Sequence, residues 1–320
     1  MNLTKTRGRA ALFAVTAVGG LLLTACGSSG GSSESSSAAA SSPAPAESSA
    51  AAPAGVVESV AALVPEKFKT TPIQNGFYND YPPQEFMEGD KLVGIQADLV
   101  AEMAKVAGVQ VENVSVGAFD SLIPGIVSGR YDMSSADFGV TVDRLKQVDF
   151  VTQFAIGTAF GVKQGSDITV SATTDLCGHS VGVQAGSYFI DQIKAANDEC
   201  TKAGKPAIDL KTFPNDTART QAAVNGRIDI TATAQDALGY AIKSQGVPLV
   251  LQPYIYAPTE QGIIFPDGSE LAPAMHAALQ EIVKNGTYLE VLKKWGVESV
   301  GYSTPDQVLL ITDPSQAPAS

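Results

Sequence analysis

The chain has 320 residues, of which 44% are apolar and 17% charged, with a formal net charge of −12. The apolar share marks a globular core and not a disordered chain, and the acidic balance argues against nucleic acid or an anionic lipid surface as partner. His179 and His276 are the only histidines, and the patterns G-x-G-x-x-G, G-x-x-x-x-G-K and H-E-x-x-H are absent. Dinucleotide, phosphate-loop, zinc-peptidase and Ser-His relay chemistry therefore lack material, and neither a cofactor nor a metal site is expected.

Lys5, Arg7 and Arg9 precede an apolar run from Ala10 to Leu23. At about 14 residues this run is shorter than the ~20 that span a bilayer, and with small residues after it, positions 1–25 read as a secretory signal. Leu23-Thr24-Ala25-Cys26 resembles a bacterial lipobox, in which the cysteine is lipidated. Cys26 is thus expected to anchor the protein to the extracytoplasmic face of the cell membrane. Residues 26–55 are nearly all Ser, Ala, Gly and Pro, with only Glu34 and Glu47 charged, and read as a disordered tether. Gly27 to Gly31 formally match G-x-S-x-G but have no strand before them and no helix after. The leader holds three cations and no acid, so −12 becomes −15 once it is removed.

From Val56 onward strands and helices alternate. Asp98 to Ala107 has apolar residues at helical spacing, with Gly108 as a stop. Val109 to Val116 reads as a strand, Asp120 as the cap of a helix from Ser121 to Ser128, and Tyr131 as the start of the next strand. A second half follows the same grammar. Ser180 to Gln184 is a strand, Gly186-Ser187 opens a helix to about Glu199, and Ile208 to Phe213 is a strand. Asp216 caps a helix ending at Gly226. Gly129-Arg130-Tyr131-Asp132 recurs as Gly226-Arg227-Ile228-Asp229, which suggests two α/β lobes of one plan with mostly parallel sheets. With Cys26 assigned to lipid, Cys177 and Cys200 remain; an even pair outside the cytoplasm favours a disulfide over two buried thiols.

Three ordered blocks resemble the bacterial extracellular solute-binding proteins of family 3. They are Tyr81-Pro82-Pro83-Gln84-Glu85-Phe86 with Gly94 to Leu99; Phe119 to Pro124 continuing through Gly129 to Asp132, Thr141 to Arg144 and Val148 to Phe150; and Gly286-Thr287-Tyr288 with Lys293 to Gly296. The resemblance covers roughly residues 65–300 and implies a type 2 periplasmic-binding-protein fold, two Rossmann-like lobes joined by two hinge strands. The implied boundaries are 56–154 with 261–302 for lobe one, 155–260 for lobe two, and 303–320 for a C-terminal tail. The resemblance implies a monomeric binder, not an enzyme, that delivers a polar amino acid or related carboxylate or amine to ABC permease subunits. A dehydratase on the same fold and a solute sensor acting through a partner chain are the alternatives.

In that family an arginine after Thr-x-x pairs with the ligand's α-carboxylate, and Arg144 occupies this position; a guanidinium fork matches a carboxylate bidentately. Tyr81 and Phe119 are expected to sandwich the apolar part of the ligand, while Gly186-Ser187-Tyr188 presents backbone N–H groups of a helix start. Gly139 and Gln184 complete this set. The family's ammonium-binding aspartate corresponds to Ala234 here. Asp236 lies two residues on and joins the candidates, although the ungapped match turns it away from the cleft. Asp137, where the family has glycine, is the expected replacement.

Overall fold

The computed structural model describes residues 55–317. The expected leader, the lipidated Cys26, the tether before Gly55 and the last three residues lie outside this range. The strands, in chain order, are β1 (Ile73–Tyr78), β2 (Asp80–Tyr81), β3 (Glu85–Glu88), β4 (Lys91–Val93), β5 (Val111–Val116), β6 (Met133–Gly139), β7 (Val148–Lys163), β8 (Ser180–Gln184), β9 (Asp209–Phe213), β10 (Ile230–Ala234), β11 (Leu249–Pro266) and β12 (Leu310–Ile311). The helices are α1 (Glu58–Ala61), α2 (Glu66–Thr70), α3 (Ile95–Ala107), α4 (Leu122–Val127), α5 (Val142–Leu145), α6 (Phe189–Lys202), α7 (Asp216–Val224), α8 (Gln235–Lys243), α9 (Ala272–Lys284) and α10 (Thr287–Trp295).

The main sheet runs β5-β1-β6-β11-β7-β10-β8-β9, with β12 added to β7. Pairings within each half are parallel, as in β1–β5, β1–β6, β8–β9 and β10–β8. The two long strands β7 and β11 pair antiparallel with each other and with their neighbours β10 and β6. The mostly parallel lobes are thus fused through an antiparallel centre. Phe154 and Gln261 are partners in that central ladder, so the chain crosses between lobes twice at one place. Every residue of β6 and β10 is buried, as expected of strands covered on both faces. Ile95, Leu99, Met103 and Val106 of α3 lie in the core at helical spacing.

The repeated tetrapeptide has a structural counterpart. Gly129 and Gly226 both take left-handed φ angles, 73° and 68°, where glycine carries no Cβ penalty. The aspartate that follows then ties its strand to the neighbour. Asp132 accepts from Gln74 N–H at 2.9 Å, and Asp229 accepts from Ser180 N–H at 2.8 Å. Cys177 and Cys200 form the disulfide, with Cα atoms 5.6 Å apart. It fixes the end of α6 to the segment entering β8.

Local corrections concern helix starts. Asp120 caps nothing; it lies in a 3₁₀ turn, Phe119–Ser121, ahead of α4. Asn215, not Asp216, caps α7, its side chain accepting from Ala218 N–H. Asp216 falls in the first turn, where its carboxylate pairs with Arg219. The helix expected to open at Gly186-Ser187 begins at Phe189. Tyr131 precedes its strand, which starts at Met133. Among the described residues no helix is long and apolar enough to cross a membrane.

Candidate functional site

Arg144 organises the region between the lobes. Thr141 caps α5 by accepting from Arg144 N–H at 3.3 Å, which sets the arginine on the first turn of a four-residue helix. The side chain runs inward and is 7% exposed. Nη1 donates to Gly139 O at 2.7 Å, and Nη2 donates to Gly186 O at 3.0 Å. The guanidinium therefore bonds to both lobes. It lies 5.7 Å from the ring centre of Phe119 and 5.3 Å from that of Phe138, within cation–π range. Burial lowers its pKa to about 10, so it remains a cation at neutral pH.

A small cavity of about 20 Å³ lies beside it, lined by Tyr81, Phe119, Asp137, Gln184, Ser187, Tyr188 and Phe189. Larger cavities elsewhere among the described residues measure about 410, 320 and 280 Å³. The small one is the candidate site because partnerless polar atoms gather there. Asp137 Oδ1 and Gln184 Nε2 are buried and have no hydrogen-bond partner among the described residues. A space of this size holds about one water, so an amino acid enters only when the lobes part.

Asp137 is 5% exposed and sits at φ 52°, a left-handed conformation inside a strand. Such strain in a non-glycine residue costs ~1–3 kcal/mol and persists where the surroundings over-determine it. Burial, then the nearby Asp236, holds its carboxyl well above the usual carboxylate range, against the pull of Arg144.

Asp236 corrects the sequence reading. It is not turned away from the cleft. Strand β10 continues through Ala234, so α8 starts late and places Asp236 in its first turn. Asp236 Oδ2 accepts from Gln84 Nε2 at 2.5 Å, across the cleft, while Oδ1 has no partner among the described residues. Burial pushes Asp236 up to about 6, against the hydrogen bond from Gln84.

The remaining candidates divide. Tyr81 and Phe119 face the cavity, and Phe119 stacks on Phe138 at 4.8 Å. Gly139 supplies a carbonyl to Arg144 and a bare Cα to Tyr188. Tyr188 accepts from Gln261 Nε2 at 3.1 Å. Ser187 spends both its N–H and its hydroxyl on Gln184 O, so its N–H is not the free donor that was expected. Further along, Ile190 N–H donates to Ser187 O and Asp191 N–H to Tyr188 O, so these first-turn groups of α6 are engaged as well.

Sequence reasoning missed Gln84, Glu85 and Phe189. Glu85 is fully buried; Oε1 accepts from Tyr78 N–H at 2.6 Å, and Oε2 has no partner among the described residues. Burial raises its carboxyl well above the usual range. Gln84 and Glu85 stood within the Tyr-Pro-Pro block, but nothing local marks a glutamine there as buried.

Two lobes closing on a cavity flanked by an arginine and two acids define a solute-binding clamp. The chain belongs to the bacterial extracellular solute-binding proteins, family 3, whose profile matches residues 73–298. It is 28% identical over 248 residues to the arginine-binding protein ArgT of Corynebacterium glutamicum, covering 76% of this chain and 80% of that one. Among solved structures, an ancestral arginine-binding protein bound to arginine superposes with a TM-score of 0.63 at 33% identity, covering 70% of this chain and 98% of the other. An ancestral amino-acid-binding protein, a precursor of cyclohexadienyl dehydratase, does so with a TM-score of 0.60 at 26% identity, covering 70% and 95%.

Proposed function

We propose that the chain is a lipid-anchored, extracytoplasmic substrate-binding protein of an ABC importer, and that it captures an α-amino acid with a second positive charge. The observation that carries this reading is the buried Asp137, which feels both the Arg144 cation and the Asp236 carboxyl of the other lobe. Arg144 has donors to spare beyond the two it uses, and takes the α-carboxylate. With both acids ionised, the site carries a net charge of about −1. A zwitterion leaves that charge unmatched, whereas a basic amino acid cancels it. Tyr81 and Phe119 cover the apolar stem. The lobes close by bending of β7 and β11 near Phe154 and Gln261, and the monomer presents the closed form to permease subunits.

The test is a thermal-shift and calorimetric screen of the whole chain against amino acids. A ligand at 100 times its dissociation constant adds ~2.7 kcal/mol to stability. Stabilisation by basic amino acids above all others is expected; no shift with any amino acid refutes the reading. Cys26→Ser is expected to release the protein from the membrane or leave it unprocessed.

A second reading has one observation behind it. Two carboxyls with raised pKa values in one cleft are the material of acid–base chemistry, as in a dehydratase. Recovery of bound ligand chemically unchanged after long incubation favours the binder; a dehydrated product favours the enzyme.

A further inference from the structure

Among the described residues, Gln84 is the one fully buried lobe-one side chain that donates to a lobe-two carboxylate. It lies on the turn between β2 and β3, and α3 fixes that turn. Ile95 N–H donates to Pro83 O and Gln96 N–H to Gln84 O, each at 2.9 Å. The Gln84 amide is also oriented from behind, because Gln96 Nε2 donates to Gln84 Oε1 at 3.1 Å. Its oxygen is therefore occupied, and its nitrogen points across the cleft to Asp236 Oδ2 at 2.5 Å.

We propose that Gln84 is a positioning residue: its amide holds one oxygen of Asp236, turns the other toward the ligand's ammonium, and does so only when the lobes close. The proposal rests on the function proposed above. Its chemical logic is specific to a neutral donor. A carboxylate only accepts hydrogen bonds, so lobe one must supply an N–H or leave the acid unsatisfied at a cost. A lysine or arginine at position 84 satisfies the oxygen but cancels the charge that the ligand needs. A glutamate repels it. Glutamine alone among these orients the acid and leaves its charge intact.

Apart from Gln84, the groups that favour the ionised Asp236 are backbone N–H groups of its own helix start, at Asp236 and Ala237, so Gln84 is the side chain from the other lobe that does so. Asp137 on β6 and Asp216 in the first turn of α7 share its sign and disfavour its ionised form, and Tyr81 on β2 is a neutral phenol whose own ionisation Asp236 disfavours. Lys243 lies further along its own helix and lines the 320 Å³ cavity with it. Because the Gln84–Asp236 bond exists only in the closed form, its loss is read in the dissociation rate and not in encounter.

The chain carries its own reporter of closure. Trp295 is the only tryptophan. Its ring centre lies 6.4 Å from that of Tyr240, on α8 of the other lobe, and 6.0 Å from that of Phe86.

The experiment uses the full chain with Gln84→Met, which keeps shape and removes the donor, and Gln84→Glu. L-arginine and L-lysine are titrated between pH 5 and 8, and Trp295 emission is recorded with and without them. Gln84→Met is expected to weaken binding at least tenfold through faster dissociation. Gln84→Glu is expected to bind nearly as the wild type at pH 5, where its protonated carboxyl donates as the amide does. At pH 8 it should bind worse than Gln84→Met. Unchanged affinity of Gln84→Met, or a Gln84→Glu profile parallel to wild type, overturns the proposal. If the wild type binds neither probe, the ligand reading above fails, and the ligand-free arm decides this one. At pH 5 Gln84→Met should show the red-shifted Trp295 emission of a more open clamp; emission identical to wild type overturns the proposal.

Discussion

Asp137 on β6 and Asp236 at the start of α8 approach each other from opposite lobes, and each carries a buried oxygen with no partner among the described residues. Two like charges brought together out of water oppose closure, and an ammonium between them favours it. The clamp is thus biased to remain apart until a cation arrives.

The first prediction is the pH dependence. A raised carboxyl pKa means that the ligand-free closed form gains stability at low pH and loses it as pH rises through about 6, the value for Asp236. A cationic ligand requires the ionised acids, so its binding releases a proton near that pH. Affinity for L-arginine is expected to fall as pH drops through about 6, where Asp236 becomes protonated, with Asp137, whose carboxyl is also raised, adding to the fall. Calorimetry at pH 6 in buffers of different ionisation enthalpy should show the proton release. Equal affinity at pH 5 and pH 8 would contradict the paired-acid site.

Substituting the acids singly is the second prediction. Asp137→Asn and Asp236→Asn should each weaken binding of a basic amino acid at least tenfold, about 1.4 kcal/mol. Both should leave the ligand-free protein as stable or more so, because a carboxyl whose ionised form burial disfavours is gone. If only one substitution matters, the other acid does not meet the ligand.

Arg144 gives the third. Arg144→Lys keeps the charge but cannot reach Gly139 O, Gly186 O and a carboxylate together. Loss of a shielded, hydrogen-bonded charge pair costs ~2–5 kcal/mol of binding. The carbonyls it leaves unpaired cost ~1–3 kcal/mol of stability each if they stay dry. Binding and the melting temperature should therefore both fall. A lysine variant with wild-type affinity removes the carboxylate from this position.

What the sequence made legible was local or repeated. The Gly-Arg-x-Asp tetrapeptides predicted two similar halves because each encodes a left-handed turn and a strand tie, features held within four residues. The disulfide followed from compartment and parity. Helix caps were misread at Asp120 and Asp216 because several polar residues adjoin each start, and the neighbours' backbone decides which one caps. At Asn215 φ and ψ are extended, while Asp216 is already helical and is drawn to Arg219. Asp236 was misplaced because spacing alone does not say whether β10 ends before or after Ala234. Gln84 was invisible as a site residue, since its partner lies 152 positions away.

The last prediction concerns closure itself. Gly139 ends β6 in lobe one, and a Cβ built on it would lie 2.5 Å from Cδ1 of Tyr188, at the start of α6 in lobe two. Real Cβ contacts are not this short, so a side chain here must push the ring away. Tyr188 has little room to yield: Phe189 packs 4.3 Å from its ring centre, and its hydroxyl is held by Gln261. The φ of Gly139 is not left-handed, so alanine fits the backbone, and the open protein tolerates it. Gly139→Ala is therefore expected to fold with an unchanged ligand-free melting temperature and to associate with L-arginine at the wild-type rate. Dissociation should be at least tenfold faster, because the lobes stop short of full closure and the Arg144 and Asp236 contacts stay long. Stopped-flow Trp295 fluorescence separates the two rates. A variant that closes and holds ligand as the wild type does would show that Tyr188 moves on closure, and that the glycine is dispensable.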